Sequence, residues 1–502
     1  MTNLTNSAYT ELEVRARRLS ALEDALGILG WDQEVIMPDG ANQGRAMQMA
    51  TLAKIIHEME TSEDWSGLLS AAEGESLDEW QEANIREMRH GYAHATALPS
   101  NLVEPMTHAR SECGHTWRKA RPQNDWKAVA PVLKKLVGYA REAAKAKSDA
   151  LGLPLYDALL DQYDPGRKSA QIDQLFGELA VELPKILELV LAKQDTGPAP
   201  IPLAGDFSTE RQRSLGEHVM RVLMFDFHHG RFDVSAHPFS GGATGDRRIT
   251  TRYDESDFTK ALMGTIHETG HAQYESGLPE DWAYQPVGRS RGMTLHESQS
   301  LLFEMQAGRS PEFIRFLAPL ARAELAGEGD GWDAENFIRI YQNVRRSLIR
   351  VDADEVTYPL HVMLRYRLEK GLMEGDLEVE DLPAAWNEAM VELIGITPPT
   401  DADGVMQDVH WYEGIFGYFP TYTLGAMTAA QIFAALRRAV PSALDEVGKG
   451  NWEPLLGWLR TNVHGQGCRF TPDGLIEHAT GAPLTAKPFL THLRARYLGE
   501  AA

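Results

Sequence analysis

Apolar residues recur three and four positions apart along most of the chain, a period that predicts helices. "APVLKKLVGYAREAAKAKSDALG" (130–152) keeps this period throughout, and Gly152 sits where a helix would stop. "IDQLFGELAVELPKILELVLAKQ" (172–194) shows the same stripe, with Pro184 expected to kink it or divide it in two. "AAQIFAALRRAVPSALDEVG" and "PFLTHLRARYLGE" continue the pattern towards the carboxyl end. The stretch "DTGPAPIPLAGDF" (195–207) breaks it with Pro and Gly. "RRITTRYD" (247–254), β-branched and without a helical stripe, predicts a strand. No repeat or low-complexity tract interrupts this picture. The expected fold is mainly α: one large helical body over residues 1–502, with room for two helical lobes either side of a central groove and a small β-sheet near the middle.

Composition narrows the class. An apolar fraction of 43% is ample for a large core. The net charge of −23 argues against nucleic acid or an anionic membrane as partner. Cys113 and Cys468 are the only cysteines, so neither a disulfide framework nor a thiolate metal cluster is expected. The amino-terminal "MTNLTNSAYTELEVRARRLSALEDALG" lacks the apolar core of a signal peptide, and no stretch approaches a membrane span of about 20 apolar residues. A reduced cytoplasmic location is the resulting expectation.

"GTIHETGHAQYESG" (264–277) concentrates the candidate chemistry. Residues four apart on a helix share a face, so His267 and His271 can aim at one ion. Glu268 lies about 100° further round, beside the ion, where it can take a proton from water. This is the HExxH spacing. Gly270 within it is unfavourable to helix by up to about 1 kcal/mol, which suits close packing at that point. A catalytic zinc needs a third protein ligand. "MTLHESQSLLFEMQAG" (293–308) offers Glu297, with twenty-five residues between it and His271, enough for a second helix to return alongside the first. His296 and Glu304 are rival donors. An acid on an apolar helical face is unusual unless it is paired or bound to a cation.

"HETGH" followed by "HESQS" resembles the carboxypeptidase Taq family of metallocarboxypeptidases. "HPF" (237–239), "DRRIT" (246–250), "IRVDAD" (349–354) and "GVMQDVHW" (404–411) match further segments of that family in its order. "WDQEVIMPDGANQGRAMQ" and "TGAPLTAKPFLTHL" extend the resemblance to nearly the whole chain. It implies that the HES segment supplies the third ligand, Glu297. It further implies Zn2+ with Co2+ able to substitute, a long groove closed at one end, and a homodimer.

The residues also support a reaction class. Two neutral imidazoles and one carboxylate leave zinc with net positive charge, which lowers the pKa of a bound water from ~15.7 towards ~7. Glu268 would accept the water proton and pass it to the leaving amine, so the expected reaction is amide hydrolysis. Release of a carboxyl-terminal residue needs a cation for the substrate's free α-carboxylate. By the resemblance of "IRVDAD" that cation is Arg350, with a structural ion pair to Asp352 or Asp354 as the alternative. Arg248 carries the same ambiguity, with Asp246 and Asp254 near it. The "HPFS…DRRITTRYD" stretch is a candidate edge strand for a peptide backbone. His237, His410, Tyr418 and Tyr422 are candidate donors to the oxyanion or carboxylate, with His410 and Tyr422 ahead, although aromatic clusters are more often core. His115, His361 and His464 are expected to be structural or exposed. The leading expectation is a metal-dependent carboxypeptidase of broad specificity. The alternatives are a helical zinc endo-oligopeptidase and a non-catalytic zinc-binding protein; Glu268 argues against the last, because a structural site needs no base.

Overall fold

The computed structural model describes residues 7–501. Helices carry most of it, and among the described residues there is one three-stranded sheet. The first helix spans Ala8–Val35; the reading of the amino terminus as leaderless also covers residues 1–6, which lie outside the described residues. No helix among the described residues is long and apolar enough to cross a membrane.

The helix expected over 130–152 spans Trp126–Leu151. The Asp125 carboxylate accepts the Ala128 N–H at one end, and Gly152 closes the other at φ 66°. The 172–194 stretch lies within a single helix, Ser169–Asp195, which Pro184 does not divide. A proline inside a helix costs roughly 3 kcal/mol. Leu179, Leu183, Ile186, Leu187 and Val190 are buried along this helix, and burial contributes roughly 1.5–3 kcal/mol per such side chain. Packing therefore wins. Beyond Asp195 the Pro- and Gly-rich segment runs without helix as far as Thr209.

The expected strand is β3 (Asp246–Thr251), flanked by β1 (Gly230–Val234) and β2 (Ser240–Ala243). The order is β1-β3-β2, with β1 parallel and β2 antiparallel to β3. The DRRIT stretch is thus the central strand, bonded on both sides, and not the edge its sequence suggested; the preceding Ser240–Ala243 is an edge. Phe232 of β1 and Ile249 of β3 cluster with Met220, Phe225 and Ala272, which seats the sheet on the helix Phe258–Ser276.

One large apolar core runs from Ala109 to Tyr497. The helices Ala8–Val35, Asn42–Glu60, Glu63–Ala72 and Glu79–Ala97 share a smaller core of their own, including Leu12, Trp65, Leu69 and Met88. Asn84, fully buried, ties this layer to the rest. Its Nδ2 donates to Tyr9 Oη (3.2 Å) and Gln285 Oε1 (3.1 Å), and its Oδ1 accepts the Val287 N–H (3.1 Å). An Asn84→Leu substitution would strand buried polar groups and is expected to cost about 2–3 kcal/mol. A lower urea midpoint for the first unfolding transition checks this; an unchanged midpoint contradicts it.

Candidate active site

The helix Phe258–Ser276 carries the histidine pair. Asp257 caps it, accepting the Thr259 N–H at 3.0 Å. Phe258, Leu262, Ile266, Gly270 and Tyr274, at every fourth position, are buried along one side. His267 and His271 stand on another side, with ring centroids 5.0 Å apart, and Glu268 is buried beside them.

Close helix crossings place the third donor. A Cβ on Gly270 would lie 2.7 Å from Gln299 O and from Ser300 Cα, so only glycine lets the helix Gly292–Leu301 pass this near. On the far side, a Cβ on Gly425 would lie 2.9 Å from Glu297 Cβ and Cγ. Gly425 belongs to the helix Pro420–Ala439. Glu297, held between, brings Oε2 to 3.5 Å from His271 Nε2 and 3.9 Å from His267 Nε2. Donor atoms of the three residues all lie within 4.8 Å of one another.

The two rival donors occupy the surroundings. After Leu301 the helix widens into a π-helical stretch, Leu302–Gly308, which carries Glu304. Glu304 Oε2 accepts from His267 Nδ1 at 2.9 Å, and its Oε1 accepts from Arg309 Nη2 at 2.5 Å. That bond fixes the ring with Nδ1 on Glu304 and turns Nε2 towards Glu297. His296 stacks on His271 at 4.5 Å and bonds Glu275 Oε1 at 3.0 Å.

The buried charges of the cluster shift one another. Burial raises the Glu268 carboxyl to about 7, the nearby His267 notwithstanding. Burial opposes charge on His267, but Glu297 and Glu304 outweigh it and raise the imidazole to about 10. For His271, burial and the neighbouring His296 prevail and lower it to about 4. Glu297 stays ionised at about 2 against its burial, through the two histidines. Tetrahedral zinc with ligand bonds of about 2.0–2.2 Å sets donors roughly 3.3–3.6 Å apart. The observed separations of 3.5 and 3.9 Å are close to that. Two imidazoles and one carboxylate are also the donor set of a hydrolytic zinc site, so the residues fit such an ion.

Arg350 is buried in a second cluster. Its Nε (3.2 Å) and Nη2 (2.8 Å) both reach Asp408 Oδ1, while Arg365 Nε donates to Asp408 Oδ2 at 2.6 Å. Its structural partner is therefore Asp408; Asp352 pairs with Lys260, and Asp354 accepts backbone N–H groups of Arg345, Val356 and Thr357. Two guanidiniums share one carboxylate, leaving this pocket with an excess positive charge. The Arg350 guanidinium lies 4.7 Å over the Tyr422 ring, and Tyr422 Oη is 3.1 Å from His410 Nε2. Burial, with the two arginines, lowers His410 to about 4 and keeps it neutral. Tyr418 packs edge-on to Tyr422 at 5.2 Å. The helix Pro420–Ala439 joins the two clusters, with Gly425 against Glu297 and Tyr422 beneath Arg350, and the Tyr358 ring lies 6.3 Å from that of Tyr422. Sequence reasoning missed Tyr358 and Asp408. "VDADEVTY" puts Tyr358 shortly after the IRVDAD segment, a signal that was available.

The remaining candidates stand apart. Arg248 is closed on Asp246 through three contacts of 2.5–3.0 Å. The His237 side chain is exposed. His361 and His464 are buried on Ser347 O and Gln299 Oε1, and His115 is exposed. A cleft of about 750 Å³, lined by β2, the β2–β3 turn, the segment around Glu275–Ser290 and part of the first helix, reaches inward to His296.

A helical body that gathers two histidines of one helix, a buried glutamate beside them and a carboxylate from a second helix has the donor set of a helical metallopeptidase. Residues 11–497 match the family described as Carboxypeptidase Taq (M32) metallopeptidase, and the chain belongs to that family. It is 39% identical to thermostable carboxypeptidase 1 of Thermus thermophilus over 98% of both chains. Among solved structures, metallocarboxypeptidase 1 of Trypanosoma cruzi superposes with a TM-score of 0.95 at 38% identity, covering 98% of this chain and 99% of that one. The M32 carboxypeptidase of Deinococcus radiodurans does so at 0.92 and 37% identity, covering 98% and 99%. The protein is a metallocarboxypeptidase, and its substrates are peptides.

Removing the Glu304 carboxylate would free the His267 ring and weaken metal binding about 10–100-fold. Competition of Glu304→Ala against a chelator of known affinity measures this, and parental affinity would rule the orienting role out.

Proposed function

We propose that the chain is a zinc-dependent carboxypeptidase that releases single residues from the carboxyl end of peptides with broad side-chain tolerance. His267, His271 and Glu297 hold the ion, Glu268 is the general base, and Arg350 receives the substrate's α-carboxylate. The observation that carries this reading is the pairing of two unlike clusters through the helix Pro420–Ala439: an acid-rich donor cage beside Gly425 and a buried Arg350–Asp408–Arg365 group with excess positive charge beside Tyr422.

When bound, the ion supplies Lewis acidity to the attacking water and to the scissile carbonyl. Glu268 accepts the water proton on a carboxylate oxygen and delivers it to the leaving nitrogen. Burial supports this exchange by bringing the carboxyl close to neutrality, to about 7, where it can both take and give a proton. Tyr418 and Tyr422 hydroxyls stand as hydrogen-bond donors to the developing oxyanion, and neutral His410 orients Tyr422. Arg350 bonds Asp408 through Nε and Nη2, and Nη1 remains for a carboxylate. The excess charge of the Arg350–Asp408–Arg365 group makes an incoming anion the natural complement. Broad tolerance follows because the anchoring contacts fall on the terminal carboxylate and backbone, not on the side chain.

Glu268→Gln should keep the metal and lose turnover by about 10²–10⁴-fold, read from kcat alongside metal content; near-parental kcat with metal in place would eliminate Glu268 as the base. Amidation of the substrate's carboxyl end should lower kcat/KM by roughly a hundredfold or more, because a buried charge is left without its partner. An endo-oligopeptidase would cleave the amide and the free acid alike.

A further inference from the structure

The cleft that ends at His296 has a charge pattern of its own. Its lining holds six carboxylates, those of Glu23, Asp24, Asp226, Asp246, Glu275 and Glu280. Four of the six have a cationic or imidazole partner: Glu23 has Arg289, Asp246 has Arg248, Asp226 has His229 at 2.7 Å and Glu275 has His296 at 3.0 Å, while Arg247 Nη2 bonds the Glu275 carbonyl at 3.3 Å. Asp24 bonds only Thr244, through its N–H and hydroxyl at 3.2 and 3.4 Å, and Glu280 is exposed with no ion-pair partner among the described residues. Neither Arg350 nor any residue bonded to it lines this cleft. The cleft therefore nears the histidine pair through His296, which stacks on His271 at 4.5 Å, on a side that the Arg350 cluster does not line. A peptide with its terminal carboxylate at Arg350 would lay its preceding residues in the anionic cleft, along the edge strand β2.

Resting on the carboxypeptidase reading above, we propose that this cleft selects peptides bearing cationic groups upstream of the released residue: lysine or arginine side chains, or the α-ammonium of a short peptide. A concave wall of one sign focuses its field and raises the local concentration of oppositely charged substrate. The preference is electrostatic and long-ranged, so it falls as salt shortens the screening length from about 30 Å at 0.01 M to a few ångströms near 1 M.

The test uses the full-length, zinc-loaded enzyme and two hexapeptides that share their last two residues, one with Lys-Lys and one with Glu-Glu upstream. The ratio of their kcat/KM values is internal to each preparation, so loss of active protein cancels. The expected ratio is about tenfold in favour of lysine at low ionic strength, falling to about twofold at 0.5 M salt. Asp24→Asn combined with Glu280→Gln should reduce the low-salt ratio about threefold. Glu104→Gln, an exposed acid outside the cleft, should leave it unchanged and so controls for net charge. A parental ratio near one, or a ratio that the double variant does not move, overturns the proposal. Release from both peptides without discrimination condemns the cleft's role alone; release from neither condemns the carboxypeptidase reading with it.

Discussion

Everything at the centre of this molecule depends on how near two helices can come to the one that carries Glu297. Gly270 on one side and Gly425 on the other remove the side chains that would hold them apart. A methyl at either position would meet its neighbour at under 3 Å, and in the case of Gly270 the neighbour is backbone, which cannot swing away. Gly270 costs the helix up to about 1 kcal/mol in propensity. That cost is offset by the burial of the helix on Phe258, Leu262, Ile266 and Tyr274, and it places a carboxylate within 4 Å of both imidazoles. Packing thus sets the geometry of the chemistry.

The second constraint is charge in a dry interior. Glu268, Glu297 and Glu304 converge on two histidines, and only Glu304 has a guanidinium partner among them, Arg309. In the second cluster, Arg350 and Arg365 share the single carboxylate of Asp408. Isolated buried charges are costly, and each cluster is short of an opposite charge. The acid-rich one calls for a cation and the arginine-rich one for an anion. In the proposed function a metal ion and a peptide carboxylate meet those two needs.

Much of this was legible in the chain. The helix at 126–151 with its stop at Gly152 and the strand at 246–251 followed from periodicity and β-branching, the pairing of His267 with His271 from their spacing, and the choice of Glu297 over His296 and Glu304 from the family resemblance. What escaped was long-range. Asp408 lies 58 residues from Arg350, and no local pattern marks it as the partner in place of Asp352 or Asp354. Pro184 argued locally for a break that the burial of five neighbours overrides. β3 looks like any half-buried strand, and its central place in the sheet depends on where Gly230–Val234 folds back. The π-helical stretch that carries Glu304, and the small core of the first four helices, likewise arise from packing between distant segments.

The most direct measurement is anomalous diffraction at the zinc edge from crystals of the zinc-loaded protein. The account predicts one strong peak within about 2.3 Å of a ring nitrogen of His267, a ring nitrogen of His271 and a carboxylate oxygen of Glu297. A peak elsewhere, or an ion on the two histidines with Glu297 turned away, would contradict it.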